Sequence, residues 1–85
     1  MKFAVYILLS PKTGKTYVGF TSDLINRMKS HNGLSKKGYT AHFRPWVVIH
    51  IEFYETKNDA MSREAFLKSG AGRGWIHYNL KHLLT

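Results

Sequence analysis

The chain has 85 residues, enough for one compact domain and too few for two, so a single domain over residues 1–85 is expected. Lys and Arg total 13 against 5 Asp and Glu, a formal net charge of +8, and a small domain this basic is attracted to phosphate backbones. Cysteine is absent, which excludes disulfides and thiolate metal sites and agrees with a reducing cytoplasm as the expected location.

The N-terminal residues predict a β-hairpin. Residues 3–9 are β-branched, aromatic or otherwise apolar, as is typical of a strand, and residues 16–20 form a similar run. Residues 10–15, between these runs, contain Pro and Gly, which favour a turn. No apolar run in the chain is long enough to span a membrane, so no membrane partner is expected.

The register of this hairpin decides where its tyrosines point. If residues whose numbers sum to 25 are paired, Tyr6 lies opposite Gly19 and Leu8 lies opposite Tyr17. The two tyrosines would then share one face of the sheet, with open space above Gly19, which makes Gly19 a candidate for contact with nucleic acid. A slip of one residue would place them on opposite faces. The alternative interpretation is a pair of ordinary core tyrosines.

A helix is predicted from about residue 23 to 31, because residues 21–23 can cap its start and Asn32-Gly33 can end it. Arg27 and His31 are one turn apart and border its apolar stripe, so both should lean toward the sheet. Arg binds phosphate in a fork geometry, and His exchanges a proton near neutral pH. A snorkelling Arg and a surface His remain the alternative.

A long polar and basic loop is predicted over residues 34–45, and loops of this length are often functional. Lys36, Lys37 and Arg44 in this segment, together with Arg73, are candidates for positioning phosphates. Ordinary solvated surface charge is an equal alternative for each of them.

The second half of the chain predicts one strand and two helices. Residues 46–54 alternate, as in a half-buried strand, with Val47, Ile49, Ile51 and Phe53 on one face and Val48, His50, Glu52 and Tyr54 on the other. Thr56, with an acid three residues later, should cap a helix that ends near Ser69. Glycines at 70, 72 and 74 should break the chain before a final helix over residues 75–84. We therefore expect an α+β fold, a three-stranded antiparallel sheet flanked by about three helices in the order β-β-α-β-α-α.

Glu64 is the most unusual residue in this pattern. It falls between Ala60 and Leu67 on the apolar stripe of the second helix, where an unpaired carboxylate would be costly. A salt bridge to Arg27 or Arg63 would explain it. So would a hard divalent cation, which often uses one or two carboxylates together with substrate phosphate.

Other candidates are weaker. The five histidines show no zinc-binding spacing, so no zinc site is predicted. The glycine-rich segment over residues 69–74 follows no strand, which argues against a phosphate loop. Asn79 lies at the edge of the last helix's apolar face and could contact a phosphate or form a local hydrogen bond.

With these residues in place, the chain resembles the GIY-YIG nuclease superfamily, in particular its small stand-alone bacterial members. The two signature segments stand here as Ala4-Val5-Tyr6 and Tyr17-Val18-Gly19. The other matching residues are Arg27, His31, Glu64 and, as a candidate for the family's C-terminal Asn, Asn79. The departures are Ala4 for the first glycine and valines for both signature isoleucines, at apolar backbone positions where we expect the fold to survive.

The resemblance implies an endonuclease that hydrolyses phosphodiester bonds in nucleic acid, with DNA as the expected form and repair or recombination as the expected process. It implies that Glu64 binds one Mg²⁺ or Mn²⁺, that Arg27 stabilises phosphoryl charge, and that Tyr6 with His31 activates water while Tyr17 orients water or phosphate. Two alternatives remain, a non-catalytic nucleic-acid-binding domain that keeps the fold and a partner-binding protein that uses its basic loop.

Overall fold

The computed structural model describes residues 2–34 and 43–84. They form an α+β fold in the predicted order, with a three-stranded antiparallel sheet and helices packed on it. The elements are β1 (Phe3–Leu9), β2 (Thr16–Thr21), α1 (Leu24–Lys29), a π-helical turn (Ser30–Leu34), β3 (Val47–Tyr54), α2 (Lys57–Lys68) and α3 (Gly70–Leu84).

The hairpin has the predicted register, with Tyr6 opposite Gly19 and Leu8 opposite Tyr17. Its turn contains Gly14 at a φ of 77°, a left-handed conformation that glycine adopts at little cost. The strand order is β2-β1-β3, so β1 is central and is paired on both sides. Tyr6 therefore projects from the central strand of the sheet, on the same face as Tyr17 of the edge strand β2.

Each face of the sheet has its own core. On one face, the strand residues Val5, Ile7 and Val18 pack with helix residues of α2 and α3, namely Ala60, Leu67, Ile76 and Leu80. On the other face, Tyr6 and Leu8 pack with Trp46, and Leu24 and Met28 of α1 lie against them. Because β1 is buried from both sides, its run is continuously apolar rather than alternating.

The two faces predicted for β3 differ in how far they are covered, and the more apolar one is the more exposed. Val47, Ile51 and Phe53 are exposed, whereas the face that holds Glu52 and Tyr54 is partly buried. Two features explain the difference. The pairing with β1 shifts between Ile7 and Leu8, and an extra residue of this kind changes the orientation of the side chains along a strand. β3 is also an edge strand, and the polar face can be covered because its carboxylate is fully paired.

Two predicted breaks are helical in the structure. Asn32-Gly33 does not end the first helix, because α1 continues into the π-helical turn. The glycine-rich segment is the first turn of α3, which begins at Gly70 rather than at Trp75. A Cβ on Gly72 would collide with the backbone of Phe66 and Leu67, so glycine here allows α3 to pack closely on the end of α2. None of the described helices is both long and apolar enough to cross a membrane.

Candidate active site

The pairing of Tyr6 with His31 forms the centre of the candidate site. The Tyr6 hydroxyl lies 2.9 Å from His31 Nε2, and both side chains are buried, with exposed fractions of 0% and 5%. Burial raises the pKa of Tyr6 to about 12, and the neighbouring Tyr17 adds to this effect. Burial also lowers the pKa of His31, as do the charges of Arg27 and Arg44. At neutral pH both groups are therefore uncharged, and they are joined by one hydrogen bond.

Gly19 makes room for Tyr6. The open space that we predicted there is filled by the tyrosine ring, because a Cβ on Gly19 would lie 2.5 Å from the Tyr6 hydroxyl oxygen and 2.7 Å from its Cζ. Glycine is thus required so that Tyr6 can lie across β2 and reach His31. A direct contact between Gly19 and nucleic acid stays a prediction.

Tyr17 lies beside this pair and is more accessible. Its ring centroid is 6.5 Å from that of Tyr6 and 5.0 Å from that of His31, and the His31 contact is edge-on. Trp46 packs on its other side, at 6.1 Å between centroids. Tyr17 is half-buried whereas Tyr6 has no exposed surface, so Tyr17 can contact a bound molecule directly.

Two arginines affect the Tyr6–His31 pair, one through the pKa of Tyr6 and the other through the backbone of the turn that carries His31. Arg27 is exposed, and its positive charge lowers the pKa of Tyr6, against the larger effect of burial. Arg44 donates from Nε to the His31 carbonyl oxygen at 2.6 Å and from Nη2 to that of Ser30 at 3.1 Å. Arg44 therefore holds the turn that positions His31, a structural contact that its predicted role in phosphate binding did not include.

The π-helical turn is held by a second contact. Asn32 accepts a hydrogen bond from the Trp46 backbone N–H at 2.7 Å and donates to the Trp46 carbonyl oxygen at 3.1 Å. Both of its polar groups are thereby used to join the turn to the start of β3. π-helical turns are frequent at functional sites, and here the turn carries the buried His31.

Glu64 reaches the same site from α2. Its charge acts on Tyr6 and raises the pKa of that hydroxyl, as the least of the causes. The carboxylate pairs with Lys68, at 3.1 Å between Oε2 and Nζ, and the two side chains are 21% and 51% exposed. The predicted salt-bridge partners were Arg27 and Arg63, but the observed partner is Lys68 and Arg63 pairs elsewhere.

Arg63 belongs to a separate group, the Glu52 cluster, formed by His50, Glu52, Tyr54 and Arg63. The guanidinium donates to both carboxylate oxygens of Glu52, at 2.9 and 3.0 Å. Tyr54 donates to the same carboxylate at 2.6 Å, and His50 Nε2 lies 2.8 Å from it. These hydrogen bonds outweigh the effect of burial and lower the pKa of Glu52 to about 2. Sequence analysis treated Glu52 as a simple strand residue and missed this cluster.

The remaining candidates are less closely joined to Tyr6. Asn79 is exposed and donates to the carbonyl oxygen of Trp75 in its own helix at 2.9 Å, which is the local hydrogen bond that the sequence left open. Arg73 lies on the rim of a cavity that Tyr17 also lines. Lys36 and Lys37 lie outside the described residues. The nucleic-acid contacts predicted for all four stay predictions.

Lys68 was missed by sequence analysis. Its Nζ is close to Glu64 and lies 6.0 Å from the centroid of the Tyr17 ring. The spacing of four residues from Glu64 on a helix was the available signal, since such pairs are neighbours on the helix surface.

The Glu64 carboxylate near Tyr6 is a suitable ligand for a hard divalent cation. No group of three or more His, Cys, Asp or Glu side chains converges among the residues that the structure describes, so a site with many protein ligands is not formed by them. Glu64 is partly exposed and its charge acts on Tyr6, and an ion such as Mg²⁺ often binds through one carboxylate, several waters and substrate phosphate. Glu64 is the residue that would hold it.

Comparison with known proteins identifies the family. The family model of the GIY-YIG catalytic domain matches residues 2–79. A UPF0213 protein of Clostridium perfringens is 39% identical over 64 residues, 75% of this chain and 68% of that protein. A UPF0213 protein of Bacillus velezensis is 41% identical over 59 residues, 69% of this chain and 59% of that protein. YazA, a UPF0213 protein of Bacillus subtilis, is 35% identical over 63 residues, 74% of this chain and 64% of that protein. The matched segments thus span about three fifths to two thirds of these relatives, and the chain belongs to the GIY-YIG nuclease family.

Proposed function

We propose that this protein is a metal-dependent endonuclease that hydrolyses phosphodiester bonds in nucleic acid, with DNA as its substrate. The observation that supports this most strongly is the convergence of the site cluster, namely Tyr6, Tyr17, Arg27, His31 and Glu64, from β1, β2, α1, the π-helical turn and α2. A domain that only binds nucleic acid has no need for a carboxylate beside a buried tyrosine–histidine pair.

The arrangement suggests a division of roles between the two tyrosines. Tyr6 has no exposed surface and its pKa is raised to about 12, so it keeps its proton at neutral pH and does not meet bulk water. Tyr17 is accessible and lies against His31. We therefore assign the contact with the attacking water to Tyr17, and the support of His31 in its neutral, proton-accepting form to Tyr6. This reverses the emphasis that the resemblance gave to Tyr6.

The charged residues would act on the phosphate. Arg27 is exposed next to Tyr6, and its guanidinium can donate to two phosphoryl oxygens as negative charge develops there. Glu64 would hold one Mg²⁺ or Mn²⁺, which supplies Lewis-acid stabilisation of the leaving oxygen when bound. The net charge of +8 favours the approach of a polyanion.

A cleavage screen tests the proposal. Purified protein is incubated with linear, nicked, flapped and branched DNA, and with the RNA equivalents, in Mg²⁺ or Mn²⁺. Wild type should cleave at least one DNA shape, Glu64→Gln should not, and Glu55→Gln, the same change at an exposed carboxylate before α2, should cleave like wild type. Equal behaviour of wild type and Glu64→Gln on every substrate refutes the catalytic assignment. Salt-sensitive binding without any cleavage by wild type would instead support the non-catalytic domain.

A role in DNA repair or recombination is the process that we propose for such an activity. It predicts a preference for nicked, flapped or branched DNA over intact duplex in the same screen. Uniform cleavage of intact duplex would argue against this role while leaving the hydrolytic assignment in place.

A further inference from the structure

A cavity of about 230 Å³ lies next to the site cluster, between β2 and the junction of α2 with α3. Its floor is apolar, because Val18, Leu67 and Ile76 of the core line it. Its other lining residues are polar or charged, namely Thr16, Tyr17, Lys68 and Arg73. The proposed hydrolysis uses Tyr17 but gives no role to the cavity itself or to its two positively charged side chains, Lys68 and Arg73.

Lys68 connects this cavity with Glu64. Its ammonium pairs with the Glu64 carboxylate at 3.1 Å, while the side chain is about half exposed and lines the cavity. A lysine has a flexible four-carbon stem and three rotatable donors, so it can exchange one anionic partner for another nearby. If Glu64 held a divalent ion, Lys68 would lose its carboxylate partner and its ammonium could pair with a phosphate instead.

The chemistry of the cavity matches that of one nucleotide. A nucleotide combines a phosphate, which cations at a rim can bind, with a base whose faces pack on apolar and aromatic surfaces. A base inside a duplex is stacked on its neighbours and cannot enter such a cavity unless it is first unpaired. The cavity also shares Tyr17 with the site cluster, so its occupant would adjoin the scissile phosphate.

We propose that this cavity is a subsite for the unpaired nucleotide next to the scissile phosphate. Lys68 and Arg73 bind the phosphate of that nucleotide, and its base rests against Val18 and Ile76, which keep some exposed surface on the apolar floor. The substrate class that follows is nucleic acid with an unpaired nucleotide beside the cut, such as a flap or a single strand. The inference rests on the proposed function, since it takes the scissile phosphate to lie beside Glu64.

The test uses thymidine 3′,5′-bisphosphate, which offers two phosphates, and thymidine 5′-monophosphate, which offers one. Binding is measured in Ca²⁺ by titration of backbone amide shifts. Wild type should bind the bisphosphate roughly tenfold more tightly, as expected for one added charge-assisted contact. Lys68→Met and Arg73→Met should each lose most of this gain, while Lys81→Met, which removes an exposed charge from the same helix as Arg73, should keep it.

Two outcomes would overturn the subsite. One is a full bisphosphate gain in both Lys68→Met and Arg73→Met when circular dichroism shows that both variants are folded. The other is a set of shifted amides that omits residues 16–18 and 67–73. The abasic analogue, deoxyribose 3′,5′-bisphosphate, should bind more weakly than the nucleotide, and equal affinity would remove the base from the apolar floor.

Glu64→Gln separates this inference from the function on which it rests. If the subsite and the function both hold, Glu64→Gln loses the Ca²⁺-dependent part of monophosphate binding, while Arg73→Met keeps that part and loses the bisphosphate gain. If Glu64→Gln binds both nucleotides like wild type with and without Ca²⁺, the metal assignment fails, and the effect of Arg73→Met still decides the subsite by itself.

Discussion

The site cluster and the Glu52 cluster are built from the same side-chain types, a histidine, tyrosine, arginine and glutamate, yet they differ in how completely these groups are paired. Glu52 has hydrogen-bonding partners from Arg63, Tyr54 and His50. Glu64 pairs with one half-exposed lysine at the edge of a cavity.

The comparison shows that the same side-chain types can either join two elements of the fold or leave groups accessible to a ligand. In the Glu52 cluster the charges are satisfied by each other, so the cluster joins α2 to β3 and has little capacity left for a ligand. In the site cluster the carboxylate and Arg27 remain accessible, while the buried Tyr6–His31 pair holds a defined geometry behind them. Matched changes in the two clusters should therefore have different effects on cleavage and on stability.

The largest expected effect is the loss of cleavage in Glu64→Gln. Because the metal carboxylate is removed, single-turnover cleavage should fall about a thousandfold, or roughly 4 kcal/mol of barrier. The melting temperature should stay near that of wild type, since the lost pair with Lys68 is partly exposed. Glu52→Gln should do the reverse, with a lower melting temperature and near-normal cleavage below it. If Glu52→Gln abolishes cleavage while folded, the two clusters do not act separately.

Lowering the pH should reveal how much the Glu52 cluster stabilises the fold. The pKa of Glu52 in the folded protein, about 2, lies below the ordinary value of 4.5. The stabilisation from Glu52 is therefore complete above pH 4.5 and is lost as the pH falls toward 2. That shift corresponds to at most about 3 kcal/mol of unfolding free energy. Denaturant unfolding between pH 6 and 3 would measure the loss, and Glu52→Gln should flatten it. A wild-type profile that is already flat over this range would contradict the pairing.

His31 should respond in a separate range of pH. Its folded pKa is lowered below 6.5, so the folded state resists protonation, and its stabilisation is present above pH 6.5 and is lost as the pH falls below it. Unfolding free energies of wild type and His31→Gln between pH 7.5 and 5.5 should therefore converge toward acid. A difference that is constant over this range would show that His31 is protonated as easily in the folded protein as in the unfolded one.

Tyr17 and Tyr54, both partly buried, allow a matched comparison. Tyr17→Phe should lower cleavage by about a hundredfold if Tyr17 contacts the attacking water, with little change in stability. Tyr54→Phe removes a 2.6 Å hydrogen bond to Glu52 and should cost about 1 kcal/mol of stability without affecting cleavage. Cleavage rates and denaturant midpoints for both variants would check this. Normal cleavage by Tyr17→Phe would return the water contact to Tyr6 and His31.

Two glycines should differ in the sign of their effect on stability. Gly19→Ala forces the Tyr6 ring to move and should destabilise the protein by about 1–3 kcal/mol while weakening cleavage. Gly74→Ala lies in α3 with nothing within 4 Å of the added Cβ, and it should stabilise the protein by about 0.5–1 kcal/mol. Thermal unfolding separates the two. A neutral Gly19→Ala would show that Tyr6 does not need the space above β2.

Local features of the fold were predictable from sequence. The hairpin register follows from a turn with fixed chemistry between two apolar runs, and Thr56 caps α2 through the Asp59 N–H as its spacing predicts. The glycine breaks were not predictable, because an isolated glycine favours a turn while Gly72 is needed for close packing of two helices. The segment over residues 35–42, which includes Lys36 and Lys37, lies outside the described residues.

For the candidate site, sequence determined which residues could act, because their types and their spacing along helices and strands are local properties. Tyr6 and Tyr17 on one face, the turn between Arg27 and His31, and Glu64 in line with the buried Ala60 and Leu67 all followed from it. Only the tertiary structure decided which face of β3 is covered, that Lys68 rather than an arginine pairs with Glu64, and that Tyr6 is buried while Tyr17 is not. Alternation shows which side chains share a face, but burial and charge pairing depend on which elements pack there, and that is settled only when the whole chain is folded.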